Sequence, residues 1–277
     1  MQTTDVIWLL ERDIMSENLI RLRLAIEEQG LKCITIPNET PWVGDRNWYD
    51  YIPNDTKEPK CVIYYGSIQG CHGVFRKTNW IPGAWCDVNK FKCSAYYPKY
   101  YDCLLNRDHE FIPFGLLHTR KDELYKKFGE DGCIFLRPDT GEKLFTGFVV
   151  EYERFDNDVF NAMPYATEDS ELLVVSRPRV IHEEHRCIIV QGKCVAQSMY
   201  KPEQERNDSN EIAAYAEAIA HRYSPELCFS VDVGVTPQGL ELIEINSFSC
   251  SGWYKCDLSP IVKAATQAAI VEYEDIF

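Results

Sequence analysis

Apolar residues in the opening third of the chain fall in short runs that predict alternating strands and helices. VIWLL (6–10) is an unbroken apolar run that predicts a short strand. Ser16 is placed to cap a helix in which Leu19, Leu22 and Ile26 mark a buried stripe, and Gly30 is a stop signal. CITIP (33–37) predicts a second strand, so the chain opens strand–helix–strand, as α/β domains do. A loop rich in Pro, Asn and aromatic residues covers 38–60, and a strand follows over CVIYYGSI (61–68). No GxGxxG or Walker-type loop accompanies this unit, which argues against a Rossmann or P-loop nucleotide site.

Between 71 and 112 the pattern turns aromatic: Phe75, Trp80, Trp85, Phe91, Tyr96, Tyr97, Tyr100 and Tyr101 are interleaved with Arg76, Lys77, Lys90, Lys92 and Lys99. A packed segment between lobes fits this composition, and so does a stacking platform for single-stranded nucleic acid. Residues 108–117 cross into a second unit, where Thr119 is placed to cap a helix through Phe128, ended by Gly129. CIFLRP (133–138) predicts a strand with Arg137 at its end, leading into DTGEKLFTG, a glycine-containing loop that carries Lys143. Such a loop can fold over phosphates with Lys and Arg as counter-charges, or serve as a plain hairpin with solvated basic residues.

After an acidic, irregular stretch (151–158), ELLVVSRPRVI (171–181) predicts a strand ending at Ser176. Glu184, Arg186 and Ile188 then share one strand face, and Gln191–Gly192–Lys193 turns the chain. Glu184 and Arg186 fit an exposed ion pair or, inside a cleft, an arginine held by the glutamate and aimed at an anion. His182 and His185 beside them read as surface histidines without a role. Asp208 with Glu211 makes a capping box for a helix through Tyr223. Ser259–Pro260 starts a last helix whose Ala264, Ala265, Ala268 and Ala269 favour close packing.

One stretch departs from apolar patterning where oil is expected. FSVDVGVTPQGLELIEINSFSCSGWY (229–254) reads as two strands joined by a three-residue loop, Pro237–Gln238–Gly239, with Gly239 in the left-handed position. That register sets Asp232 opposite Glu244, with Asn246 two residues along the same face. Two carboxylates and an amide on a half-buried face repel and stay unsatisfied without a cation, and hard oxygen ligands of this kind suit Mg²⁺. A surface hairpin whose polar face meets water fits the same residues.

Composition narrows the functions. The 277 residues are enough for one large or two modest domains. A formal charge of −14 argues against a broad electrostatic grip on nucleic acid or an anionic membrane. No apolar run reaches the ~20 residues that span a bilayer, and the N-terminus lacks a signal-type pattern, so a cytoplasmic location is expected. The 12 cysteines include no CxxC pair, which argues against zinc; Cys33, Cys61, Cys133, Cys187, Cys194 and Cys228 sit in apolar runs, as small buried hydrophobes do.

The ordered set FLRP…KLFTG (135–147), EHRCIIVQGK…SMY (184–200) and VDVG…LIEIN (231–246) resembles the ATP-grasp superfamily. In particular it is similar to the divergent clade that includes the eukaryotic cell-division-cycle protein which assists assembly of a translation initiation factor. The resemblance implies an α/β (α+β) fold in which two lobes with antiparallel sheets clasp ATP. A small α/β N-terminal domain (1–112) would precede an ATP-grasp domain (113–277). It further implies that Arg137 and Lys143 meet the phosphates and that Val174, Val175 and Ser176 present backbone groups to the adenine. Glu184 and Arg186 would line the nucleotide, Arg186 steadying the γ-phosphate or the intermediate. Asp232, Glu244 and Asn246 would hold Mg²⁺. Most ATP-grasp enzymes carry Lys at the position of Arg137; the resembled clade tolerates Arg.

The function implied is an ATP- and Mg²⁺-dependent ligase that joins a carboxylate to an amine, on a small molecule, peptide or protein, through an acyl phosphate. Phosphoryl transfer needs positioning and positive charge more than a covalent nucleophile, which Arg186, Lys143 and Mg²⁺ would supply. Ser247, Ser251, Gly252 and Tyr254, just beyond the metal ligands, are candidate substrate contacts. Cys250 has no His placed to activate it, so an inert thiol is the reading there. An ATP-binding assembly chaperone that completes no ligation is the alternative, and a nucleic-acid modifier is disfavoured by charge.

Overall fold

The apolar runs of the N-terminal third form a four-stranded parallel sheet. The structure, a computed structural model, describes residues 1–12, 16–37, 48–52, 60–142, 144–162, 167–202 and 209–276. Strands β1 (Ile7–Glu11), β2 (Lys32–Ile36), β3 (Cys61–Tyr65) and β4 (Ile81–Gly83) lie in the order β2-β1-β3-β4. Every residue of β1 and β3 is buried, as interior strands of a covered parallel sheet require. Between β1 and β2, α1 (Ser16–Glu28) buries Leu22 and Ile26, and Gly30 beyond it takes a positive φ of 69°. β3 ends at Tyr65 rather than at Ile68. Gly66 and Ser67 turn the chain, and Ser67 Oγ accepts from Gly70 N at 3.0 Å to cap α2 (Ile68–Lys77). The buried Glu11 carboxylate sits beneath this turn, accepting from Tyr64 OH at 2.6 Å and Ser67 N at 2.7 Å.

The chain forms two compact units, one of residues 1–87, 183–233 and 244–277, the other of 88–182 and 234–243. The second unit contains α3 (Cys93–Tyr100), β5 (His109–Pro113), α4 (Lys121–Phe128), β6 (Cys133–Pro138), β7 (Phe148–Glu151), α5 (Phe155–Ala162) and β8 (Leu172–Ser176). Its sheet is antiparallel, in the order β5-β8-β6-β7. Leu124 and Phe128 of α4 and Phe155 and Val159 of α5 pack with Ile134, Leu136, Leu173 and Val175 as its core. α5 occupies part of the acidic stretch read as irregular; Phe155 and Val159, four apart, give it a buried side beneath Asp156 and Asp158. α4 begins at Lys121 without the expected cap, because the Thr119 hydroxyl donates back to Leu116 O at 3.0 Å. Trp80, Trp85, Phe91, Tyr96, Tyr97 and Tyr100 are buried, and Phe75 and Tyr101 are exposed. The aromatic segment is therefore core packing, since a stacking platform needs open ring faces.

In the first unit, β9 (Glu183–Val190) and β10 (Lys193–Lys201) join through Gln191 and Gly192 at φ 49° and 78°, the two positive values of a type I′ turn. β11 (Cys228–Thr236) and β12 (Gly239–Ser247) complete a sheet in the order β10-β9-β11-β12, with the turn end of that last hairpin inside the second unit. Gly239 has the expected positive φ, 116°, but the strand resumes at that residue, leaving Pro237 and Gln238 as the turn. Gln238 N donates to Thr236 Oγ1 at 3.1 Å. α6 (Asn210–Arg222) is capped by Ser209, whose Oγ accepts from Ile212 N; Asp208 lies outside the described residues. α7 (Leu258–Glu274) starts one residue before Ser259, capped by Asp257, whose carboxylate accepts from Ser259 N at 3.1 Å. Ala265, Ala268 and Ala269 of α7 are fully buried, and Trp8 Nε1 donates to Thr266 Oγ1 at 3.0 Å, tying α7 to β1.

Gly70 is fixed by the Tyr64–Glu11 contact: a Cβ there would lie 1.8 Å from Tyr64 OH. Gly70→Ala is expected to destabilise the protein by about 1–3 kcal/mol through overpacking, read as a lower urea midpoint. An unchanged midpoint would show that the Tyr64 ring moves aside freely.

Candidate nucleotide and metal site

The sequence-predicted residues divide between the two units. Arg137 and Val174–Ser176 belong to the second; Glu184, Arg186, Asp232, Glu244, Asn246 and the loop 247–254 belong to the first. Lys143 lies outside the described residues.

Alternation along β9, β11 and β12 brings a polar group together on one face of an otherwise apolar sheet. Asn246 Nδ2 donates to Glu244 Oε1 at 2.9 Å and approaches Asp232 Oδ2 at 3.5 Å, so the three residues share a face, as predicted. The group also contains Arg186. Its guanidinium engages Asp232 as a fork, Nε to Oδ1 at 2.8 Å and Nη2 to Oδ2 at 2.6 Å, while Nη1 donates to Gly252 O at 3.0 Å. Both partners of the pair are almost wholly buried, Arg186 at 3% and Asp232 at 1% exposure. Burial opposes the guanidinium charge, yet the carboxylate of Asp232 outweighs it and holds Arg186 more firmly protonated than usual. Arg186 is thus held by Asp232 and not by Glu184, which pairs with Lys201 Nζ at 2.8 Å.

Two tyrosines close over this pair. Tyr200 and Tyr254 stack with centroids 4.5 Å apart and planes 7° from parallel, and Arg186 Cζ lies 4.9 Å from the Tyr254 ring. Tyr200 is reached through a β-bulge: Met199 pairs with His185 and Lys201 with Glu184, leaving Tyr200 as the extra residue. Tyr254 sits at φ 48°, a left-handed backbone that costs a non-glycine residue of order 1 kcal/mol. Arg21 of α1 supports it from below, donating to Tyr254 O at 2.5 Å and Cys256 O at 2.7 Å. Burial pushes the phenol pKa of both tyrosines up, with Asp232 adding to it, so both rings stay neutral. Sequence reasoning missed Tyr200 and Arg21. Alternation from Ser198 pointed Tyr200 to the Arg186 face; nothing local marked Arg21.

The loop after Asn246 is braced to the parallel sheet. Ser249 N and Oγ bond the backbone of Trp85, Gly66 N donates to Ser249 O at 2.9 Å, and Tyr65 OH donates to Ser251 O at 2.8 Å. Ser247 and Ser251 are buried, with Ser251 Oγ donating to Ser247 O, and the Gly252 carbonyl is taken by Arg186. Tyr254 is the one candidate substrate contact with substantial exposure, 39%. Cys250 Sγ lies 2.7 Å from Ser247 Oγ and 3.7 Å from Cys86 Sγ. The Cys250 contact lowers the Cys86 pKa, but the bond with Cys71 and burial outweigh it and push that thiol up. His185, read as a surface residue, is buried at 1% exposure with Nε2 2.9 Å from Glu183 Oε2.

A family model for an ATP-grasp domain, the third family of its clade, matches residues 50–265. The chain belongs to the ATP-grasp family. Its fold is the mixed α/β ATP-grasp fold, shared with ligases of known structure at low identity. The D-alanine–D-alanine ligase from Coxiella burnetii matches with a TM-score of 0.64 at 13% identity over 98% of this chain and 96% of that one. D-cycloserine synthetase DcsG matches with a TM-score of 0.59 at 13% identity over 94% and 99%. The ATP-grasp ligase PsnB, in complex with precursor peptide PsnA2 and AMPPNP, matches with a TM-score of 0.59 at 9% identity over 96% and 98%. No curated protein sequence matches the chain significantly. Among the described residues, no helix is long and apolar enough to cross a membrane.

In this ATP-grasp chain Glu244 and Asn246 fit a Mg²⁺ site, offering a half-buried carboxylate and an amide side by side. Asp232 lies on the same face but is committed to Arg186, and among the described residues no three His, Cys, Asp or Glu side chains gather to hold a metal. Val174, Val175 and Ser176 form an interior strand that pairs with β5 on one side and β6 on the other. Its backbone groups are spent on the two ladders, which corrects their reading as donors and acceptors for adenine. Residues 177–181 follow outside any strand.

Removing one partner of a buried ion pair leaves an uncompensated charge. Asp232→Ala is expected to lower stability by about 3–5 kcal/mol, with the double variant Arg186→Met/Asp232→Leu recovering most of it. Additive losses in urea titrations of the two single variants and the double would show that the pair contributes little as a unit.

Proposed function

We propose that the chain is an ATP- and Mg²⁺-dependent ligase that joins a carboxylate to an amine. The observation that carries this reading is the shared face of Asp232, Glu244 and Asn246 beside Arg186, in a chain of the ATP-grasp family. In the reaction, a substrate carboxylate oxygen attacks the γ-phosphorus of ATP and ADP leaves. The amine then attacks the acyl phosphate carbon, inorganic phosphate departs and the amine loses a proton. Mg²⁺ would offset phosphate charge, held by Glu244 and Asn246 with Asp232 as third ligand. Arg186, and Arg137 and Lys143 on the other unit, would supply positive charge to the transferring group. Backbone groups for the adenine would come from 177–181, beyond the paired residues 174–176. Glu184 would line the nucleotide through its contact with Lys201. Tyr254, half-open above Arg186, is the first candidate to meet the acceptor, with Ser247, Ser251 and Gly252 shaping the loop behind it.

The substrates would be small molecules, peptides or proteins. DcsG and the D-alanine ligase act on small molecules by name, and PsnB is a ligase bound to a precursor peptide. A cytoplasmic location accompanies this reading, in keeping with twelve free thiols. One observation favours the alternative of an ATP-binding assembly protein without ligation: the closed Arg186–Asp232 pair withholds a metal ligand.

Release of ADP from Mg·ATP is expected to be slow alone and to rise with the right acceptor among pooled amino acids, peptides or cell lysate. Glu244→Ala should lower the stimulated rate about 100-fold or more. If Glu244→Ala binds Mg·ATP as tightly as the parent, the metal assignment is wrong. Tight Mg·ATP binding with no acceptor-stimulated turnover would favour the assembly protein.

A further inference from the structure

We infer that Arg186 and a divalent cation compete for the carboxylate of Asp232, so that the buried ion pair must open before Asp232 can serve as a metal ligand. The inference rests on the metal site of the ligase reading and adds a step to its loading. Mg²⁺ needs a carboxylate lone pair at about 2.0–2.1 Å in near-octahedral geometry. At Asp232 both oxygens already accept from the guanidinium fork, at 2.8 and 2.6 Å. Oδ2 additionally has Tyr200 OH and Asn246 Nδ2 at 3.5 Å each. A dication placed on Oδ2 would displace the guanidinium or sit close against its positive charge in a desolvated setting, where repulsion is weakly screened.

The surroundings of Arg186 show where it would go. Three nitrogens of the guanidinium are anchored, Nε and Nη2 on Asp232 and Nη1 on Gly252 O, with the Tyr254 ring beside it. Release from Asp232 removes two of these anchors and keeps the third, along with the ring. Arg186 therefore stays beside the hairpin with Nε–H and Nη2–H turned loose, donors suited to a phosphate or carboxylate oxygen. The cation's arrival at Asp232 and the freeing of an anion-binding arginine become one event. Arg186 acts on the metal through Asp232, as a positioning residue for loading.

Mn²⁺ is the probe, titrated without nucleotide and followed by the electron paramagnetic resonance of the free ion. Arg186→Gln frees Asp232 and is expected to bind Mn²⁺ about tenfold more tightly than the parent, with Arg186→Lys, a point charge without the fork, falling between. A folded Arg186→Gln protein with parental Mn²⁺ affinity overturns the inference. The parent itself gives a second test that no folding failure can obscure. The Arg186 Nε–H, identified by its loss from the nitrogen-15 spectrum of Arg186→Lys, should be protected from solvent exchange. Saturating Mg²⁺ with a non-hydrolysable ATP analogue is expected to speed that exchange about tenfold, as opening of the pair demands. Unchanged protection under saturation overturns the inference. Failure of the ligase reading looks different: Glu244→Ala would then bind Mn²⁺ with the analogue as well as the parent does, whatever Arg186→Gln shows.

Discussion

The first unit is arranged around two opposite charges withdrawn from water. Arg186 and Asp232 stand on neighbouring strands of the sheet, and neither tolerates burial without the other. The surrounding irregularities serve that pair. A bulge in β10 adds Tyr200 to the face, a left-handed Tyr254 lays its ring against the first, and the Gly252 carbonyl takes the remaining side of the guanidinium. Irregular backbone costs stability, and here it is gathered within one hairpin end and the loop after it.

That loop is held from three directions, which explains why so open a sequence as SFSCSGWYKCD is well ordered. Trp85 and Gly66 bond Ser249, Tyr65 bonds Ser251, and Arg21 bonds the carbonyls of residues 254 and 256. The parallel sheet and α1 thus act as a rigid backing for the residues that follow the metal hairpin. Catalytic constellations need such backing, because a shift near 1 Å can remove most of their effect.

Much of this was legible in the sequence, and the misses have physical causes. Alternation placed Asp232, Glu244 and Asn246 on one face, and the order of three segments pointed to the ATP-grasp fold that the family model shows. Local pattern cannot report which of two nearby charges a side chain chooses. Glu184 was two residues from Arg186 in sequence, but Asp232, 46 residues away, offered a buried bidentate geometry, and Lys201 took the glutamate. The adenine strand failed for a related reason: an apolar run such as LLVVS shows burial without showing how many neighbours pair with it. Two ladders turned out to use its backbone. α2 and α5 were hidden by glycines in one case and acidic residues in the other, although each buries a small apolar side.

Identities of 9–13% to ligases of the same fold carry the architecture and stop short of the substrate. The site itself adds a constraint. Any acceptor that reaches Arg186 must pass the Tyr200–Tyr254 stack, whose rings are neutral and whose outer member, Tyr254, is the more exposed. Neutral stacked rings offer contact area and hydroxyl hydrogen bonds without a fixed charge, so they do not select an amine or a carboxylate by sign. Selection by charge therefore falls to Arg186, and Arg186 is available only to the extent that Asp232 lets it go. In this arrangement the affinity of the carboxylate substrate and the occupancy of the metal ligand are coupled through one ion pair, and by reciprocity each must strengthen the other.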